Sequence, residues 1–181
     1  METATKTTTK WSLDPAHSEV TFKVKHMMIS NVSGSFKTFS TDVETEGQDF
    51  TKSKISFTAD INSINTGYTD RDNHLKSADF FNGETNPQVK FVSRKLEQQD
   101  ENEYVLTGDL TIAGVTKPVK FDVEFGGIGK DPWGNQKAGF TVGGKIKRTD
   151  FGLNWNAALE TGGVLVGEEV KVLEEIQLVR A

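Results

Sequence analysis

The sequence predicts an all-β fold with one short helical segment, an antiparallel barrel of about eight strands. Three observations carry this. Apolar and polar residues alternate along one segment after another, which is the period of a half-buried strand and not of a helix. Polar turns separate the segments, and no repeat, linker or low-complexity stretch divides the chain. The 181 residues include 17 glycines and 12 phenylalanines but only four prolines, a usage suited to antiparallel strands and tight turns. The spacing of strands fits a sandwich or an up-and-down barrel. Long strands with one-sided patterning from start to finish favour the barrel.

Residues 1–10 form a polar stretch expected to be a disordered tail, so the domain runs over 11–181 and order begins at Trp11, an aromatic able to cover one end of the barrel. After the Asp14-Pro15 turn, Val20, Phe22, Val24 and His26 share one face, with Thr21, Lys23 and Lys25 on the other. Gly34-Ser35-Phe36 opens the next strand, which runs to Val43 and ends in a polar turn over 44–49. Ile55, Phe57, Ala59 and Ile61 then alternate with polar neighbours.

The passage from Ser63 to Phe91 interrupts this pattern. A helix is predicted near 69–79, with Thr69 or Asp70 as N-cap, acidic residues in the first turn and Asn82-Gly83 as the stop. At two or three turns it is too short to stand alone. It therefore docks as a lid or plug through Leu75, Phe80 and Phe81, with Arg71, Asp72 and His74 at its rim.

Strand patterning resumes at Val89–Ser93 and continues through Tyr104, Leu106, Leu110 and Ile112. A hairpin over Ala113–Thr116 leads to Val119, Phe121, Val123 and Phe125. A flexible turn is expected over 126–134. Ala138, Phe140, Val142 and Ile146 follow, with Gly143-Gly144 a place to bend or bulge. Val170, Val172, Glu174, Ile176 and Leu178 form one face of the last strand.

Composition excludes several classes of function. A net charge of −5 argues against nucleic acid or an anionic membrane as partner. The chain has no cysteine, hence no disulfide or thiolate metal site. A mean hydropathy of −0.47 goes with the lack of a spanning segment. No nucleophile elbow, P-loop, dinucleotide fingerprint or HExxH motif is present. Asp72 and His74 would make an acid/base pair, but no nucleophile or oxyanion hole accompanies them, so the chain reads as a non-enzyme. His17, His26 and His74 lack any short HxH or HxxxH spacing, and neither a metal nor another cofactor is expected. Arg148 and Asp150 suggest a salt bridge at a strand end, or else polarity at an opening. Lys145 and Lys147 read as solvated surface, and Trp133 and Trp155 as rim packing.

A barrel of this size is either filled by side chains or holds one small ligand. The inward candidates are Phe22, Val24, His26, Phe36, Phe57, Ala59, Ile61, Phe91, Leu106, Leu110, Phe121, Val123, Phe140, Val142 and Val172, an almost wholly apolar wall. Small residues along it (Ala59, Gly108, Ala138 and Gly144) would leave volume unfilled. Patterning alone leaves both a packed core and a ligand channel open.

The residues Trp11-Ser-Leu-Asp14-Pro-Ala-His17-Ser18 and Val20-Thr-Phe22-Lys-Val24-Lys-His26 resemble the opening of the YceI family of polyisoprenoid-binding proteins. The resemblance continues through Gly34-Ser-Phe36, Ser63–Thr66, Arg71-Asp72-Asn-His74-Leu75, Asp79-Phe80-Phe81 and Phe91-Val-Ser93. It extends over Gly108–Val119, Ala138-Gly139-Phe140, Arg148–Gly152 and Val166–Val170, so that it covers the chain from Trp11 onward. What it implies is an extended lipocalin-like barrel around an apolar channel holding a polyisoprenoid, an isoprenoid quinone, a fatty-acid derivative or another lipophilic small molecule. His17, Arg71, Asp72, His74, Arg148 and Asp150 then frame a polar mouth. Storage, transport and sequestration of such a ligand are all compatible with this, and a homodimer is expected from proteins of this type. The alternative is a filled-core structural or stress-related interaction module without ligand, with a histidine–metal site or a hydrolase as weaker options. No export signal opens the sequence, so a cytoplasmic location is expected, or a periplasmic one if a signal has been removed.

Overall fold

The computed structural model describes residues 7–159 and 163–181. Its strands are β1 (Thr8–Leu13), β2 (Glu19–His26), β3 (Ser30–Phe36), β4 (Phe39–Glu46), β5 (Asp49–Asp60), β6 (Ile64–Asn65), β7 (Gln88–Gln98), β8 (Glu103–Ile112), β9 (Val115–Lys130), β10 (Gln136–Lys147) and β11 (Val166–Arg180). One helix, α1 (Thr69–Lys76), joins β6 to β7. Every pairing between strands is antiparallel.

Several of these strands are halves of longer ones. The pairings Val20↔Phe36 and Trp11↔Val43 show β1 running on into β2 across a 3-10 turn at Pro15–His17, and β3 into β4. β5 and β6 are likewise divided by a 3-10 turn at Ile61–Ser63. β11 pairs with β2 through Val170–Glu175 and with β1 through Leu178–Arg180, which closes the sheet. Counting each broken strand once gives a closed barrel of eight antiparallel strands.

One end of the barrel is a floor. Trp11 is 2% exposed and packs on Phe50 at 5.3 Å between ring centroids. Phe50 meets Phe140 at 4.9 Å and Phe125 at 5.6 Å. The Trp11 indole N–H donates to the Thr45 hydroxyl at 3.1 Å, which satisfies the one polar atom a buried tryptophan carries. Trp11 thus covers an end, but strand structure begins before it, at Thr8, while residues 1–6 of the expected tail lie outside the described residues. Thr8, Thr9 and Lys10 pair with Glu46, Thr45 and Glu44, so strand structure begins inside the stretch expected to be a tail.

Other local expectations are also corrected. The turn expected over 126–134 is shorter, because β9 continues to Lys130. The Asp131 carboxylate closes the remainder by accepting from the backbone N–H groups of Trp133 and Asn135. Gly143 and Gly144 pair regularly with Leu173 and Val172; the register shift in β10 lies at Gly139/Phe140 instead. α1 is N-capped by Tyr68, not Thr69 or Asp70, and stops at Lys76. Turns carry the chain on through Phe80 and Phe81, and Asn82 adopts the expected positive φ of 48°.

The glycines of the wall do not open space as expected. A Cβ on Gly144 would lie 2.6 Å from a Phe121 ring carbon, one on Gly108 2.5 Å from Phe91, and one on Gly34 2.4 Å from Phe22. Each glycine lets a phenylalanine from the adjoining strand lie flat on the sheet. The wall is thereby thickened, and the hollow lies inside it.

Candidate ligand cavity

A cavity of about 550 Å³ occupies the barrel above the floor, within the size range of small-molecule sites. Opposite the floor it is lined by Lys25 and His26 at the end of β2, by α1, and by Trp155 and Leu165 of the segment that returns from β10 to β11, and this end is the mouth. Every predicted wall residue except Ile61 lines it: Phe22, Val24, His26, Phe36, Phe57, Ala59, Phe91, Leu106, Leu110, Phe121, Val123, Phe140, Val142 and Val172. Ile61 is displaced because β5 ends at Asp60. The 3-10 turn carries Ile61 beneath Gly83, its N–H bonded to the Pro87 carbonyl at 2.9 Å.

The predicted mouth residues divide. Arg71, His74, Leu75, Phe80, Phe81 and Arg148 line the cavity, whereas His17, Asp72 and Asp150 do not. His17 lies at the floor end, just before β2, and bonds Asp14 at 2.8 Å. Lys137 bonds the same carboxylate at 2.6 Å and pulls the Asp14 pKa down to about 2. Asp72 turns back to accept from the Thr66 N–H at 2.8 Å and from its hydroxyl. Asp72 and His74 are therefore not an acid/base pair: His74 bonds Asp79 at 2.9 Å. The three histidines sit on separate elements, and among the described residues no group of three or more metal-ligating side chains converges.

The lid is held by rings rather than by the helix itself. α1 buries no residue. His74 stands edge-on to Phe80 and to Trp155, with centroids 5.0 and 4.7 Å away, while Phe81 meets Phe36 at 6.4 Å. Arg71 is positioned by Thr66, donating from Nε to its hydroxyl and from Nη2 to its carbonyl, both at 2.8 Å.

Arg148 is 4% exposed and makes no salt bridge with Asp150, which is exposed. The chain forms a 3-10 turn over Arg148–Phe151, so the two side chains diverge. The guanidinium instead donates to the backbone carbonyls of Gly167 at 2.7 Å, Leu153 at 2.5 Å, Trp155 at 3.0 Å and Val166 at 3.1 Å. It ties both ends of the returning segment to the wall. Lys145 and Lys147 face outward and pair with Glu169 and Glu168, while Trp133 is exposed in the turn at the floor end.

Sequence reasoning missed other members of the cavity. Val43, Phe50, Val89, Leu96 and Trp155 all line it, as do the polar Thr41 and Glu174. The Thr41 hydroxyl has no hydrogen-bond partner among the described residues. Burial pushes the Glu174 carboxyl up to about 7.

The comparisons with known proteins agree with this geometry. A family model described as the YceI-like domain matches residues 11–178. The UPF0312 protein SERP2314 of Staphylococcus epidermidis is 46% identical over 164 residues, covering 90% of this chain and 93% of that one. The crystal structure of Burkholderia cenocepacia BcnA superposes with a TM-score of 0.79 at 27% identity, over 91% of this chain and 98% of that one. A polyisoprenoid binding domain from Saccharophagus degradans, implicated in plant cell wall breakdown, shares the fold with a TM-score of 0.67 at 16% identity, over 94% of this chain and 98% of that domain. With the family model spanning nearly all of the barrel, the chain belongs to the YceI-like domain family.

Proposed function

We propose that the chain binds one elongated lipophilic molecule, of the polyisoprenoid, isoprenoid-quinone or fatty-acyl kind, inside the barrel, and that it holds this molecule without chemical change. The observation that carries this is the 550 Å³ interior, walled almost entirely by apolar side chains. A filled-core module would need that space packed, since a dry void forfeits dispersion contacts along its whole lining. Each methylene transferred from water into such a site contributes roughly 0.8 kcal/mol, so a long chain gains affinity without polar recognition. The fold shared with a polyisoprenoid binding domain supports the same ligand class. At the mouth, Arg71, held by Thr66 through Nε and Nη2, and His74 both line the cavity, so both can meet a polar head.

Titrating the purified protein with N-phenyl-1-naphthylamine tests this. Saturable fluorescence enhancement, reversed by a polyprenol and accompanied by a lipid in the organic extract of the protein, is the expected result. No enhancement together with a lipid-free extract would refute the carrier and favour the filled module.

A further inference from the structure

Besides the Thr41 hydroxyl, the cavity contains an acid that an all-hydrocarbon ligand leaves unsatisfied. Glu174 lies on the inner face of β11, between Val172 and Ile176. Its cross-strand neighbours are Val20 on β2 and Val142 on β10, both apolar. Ile176, the next inward residue, pairs with Phe140 of the aromatic floor, so Glu174 sits low in the barrel. Protein surrounds the carboxyl, what surface it keeps faces the cavity, and among the described residues nothing pairs with it. The charged or titratable side chains that also line the cavity are Lys25, His26, Tyr68, Asp70, Arg71, His74 and Arg148, all on mouth elements. Along β10, Val142 and the mouth-end Lys147 are five residues apart, roughly 17 Å of strand.

We infer that Glu174 is a polar subsite at the inner end of the cavity, donating a hydrogen bond from its protonated carboxyl to a carbonyl or ether oxygen of the ligand. This rests on the ligand-binding function proposed above and adds that the ligand's inner end is not plain hydrocarbon. A buried acid without a cation beside it is more stable neutral, and burial alone accounts for the upward displacement of this one. A neutral acid has one O–H to place, and a single acceptor oxygen satisfies it. An ammonium ligand would instead require two charges to be desolvated among Val20, Val142 and Ile176, with no further polar groups beside them to complete the pair. Ionisation converts Glu174 into a group that only accepts, so the same ligand oxygen is then repelled.

The test is competition against N-phenyl-1-naphthylamine by a linear alkane and by the methyl ketone of equal chain length, at about pH 5 and about pH 9, on either side of the Glu174 transition. At the lower pH the ketone is expected to bind roughly tenfold more tightly, the worth of one buried hydrogen bond, and at the higher pH the preference disappears. Glu174→Gln, whose amide N–H still donates, keeps the preference at both pH values. Glu174→Leu, with its fold checked by circular dichroism, loses it at both. Equal binding of ketone and alkane at the lower pH, or a preference that survives Glu174→Leu, overturns the subsite while leaving apolar binding intact. An alkylammonium of equal length that outcompetes the ketone at neutral pH also overturns it, because Glu174 would then act as a counter-charge. If neither alkane nor ketone competes, the ligand-binding function falls, and the subsite with it.

Discussion

Replacing Arg148 by methionine tests whether the mouth is held by a guanidinium bonded to carbonyls rather than by an ion pair. Methionine approximates the length of the arginine stem and removes all four hydrogen bonds. The Val166 carbonyl keeps a second donor in the Asn156 side chain at 2.7 Å, while those of Leu153, Trp155 and Gly167 lose their bond to Arg148. Hydrogen bonds from a charged donor contribute about 1.5–3 kcal/mol each, but the variant also escapes the cost of burying a charge. The net expectation is a destabilisation of about 3–5 kcal/mol, since three carbonyls lose their charged donor at about 1–3 kcal/mol each while the cost of burying the guanidinium is relieved. Arg148→Lys separates geometry from charge. A lysine ammonium presents its donors from a single nitrogen and does not span carbonyls spread across β11 and the loop before it. It should recover less than half of the loss.

Urea unfolding followed by tryptophan fluorescence gives the free energies, and hydrogen exchange gives the location. The amides of Leu153 and Val166 bond to the Arg148 carbonyl and the Asn156 side chain, so they should lose protection before the amides of β8 do. An Arg148→Met variant within about 1 kcal/mol of the parent, or a lysine variant equal to it, would refute the network as the anchor of the mouth.

Three more outcomes are expected. Gly144→Ala places a Cβ 2.6 Å from Phe121, whose ring has only the cavity to move into; probe affinity should fall and stability should drop by about 1–3 kcal/mol, while Gly143→Ala, with no atom nearer than 3.8 Å, should leave both unchanged in the same titration. Thr45→Val strands the Trp11 indole N–H in the floor and should cost about 1–3 kcal/mol in urea unfolding. Burial raises the Glu174 pKa from 4.5 to about 7, so its contribution to stability is whole below pH 4.5 and is lost as pH rises through 7; the loss is about 3.5 kcal/mol at about 1.4 kcal/mol per pKa unit, and Glu174→Gln should flatten that part of the stability profile.

What the sequence made legible follows from the strand period. Phe22, Val24, Leu106, Phe121 and Val142 were readable because a residue's parity along a regular strand decides its face. Parity fails wherever the backbone adds or sheds a residue. Phe50 is out of step with Ile55 and Phe57 because the β4–β5 register shifts between Glu44 and Glu46, so its place in the floor was hidden. Ile61 failed for the opposite reason, since its alternation outlasts the strand that produced it. Arg148 and Asp150 suggested an ion pair because opposite charges are visible in sequence, whereas the carbonyls that hold Arg148 belong to every residue and carry no signal. Trp155 lies in a segment without a period. Its role depends on His74 and Phe80, far away in the chain.

The lapses from good packing in this barrel gather mainly at the cavity, although the buried Ser53 and Thr107 hydroxyls, away from it, also have no partner among the described residues. The floor satisfies its indole, the closed-end Asp14 is paired with Lys137, and the mouth arginine spends its donors on carbonyls. The hollow, the unpartnered Thr41 hydroxyl and the unpaired Glu174 carboxyl all face one space. Each costs stability in the empty protein, and an elongated molecule with apolar length and a polar atom in place would relieve the hollow and the carboxyl together. A chain selected only to fold would repair them with a few larger or apolar side chains. That the hollow, the Thr41 hydroxyl and the Glu174 carboxyl coincide on one surface is what a site kept for a guest requires.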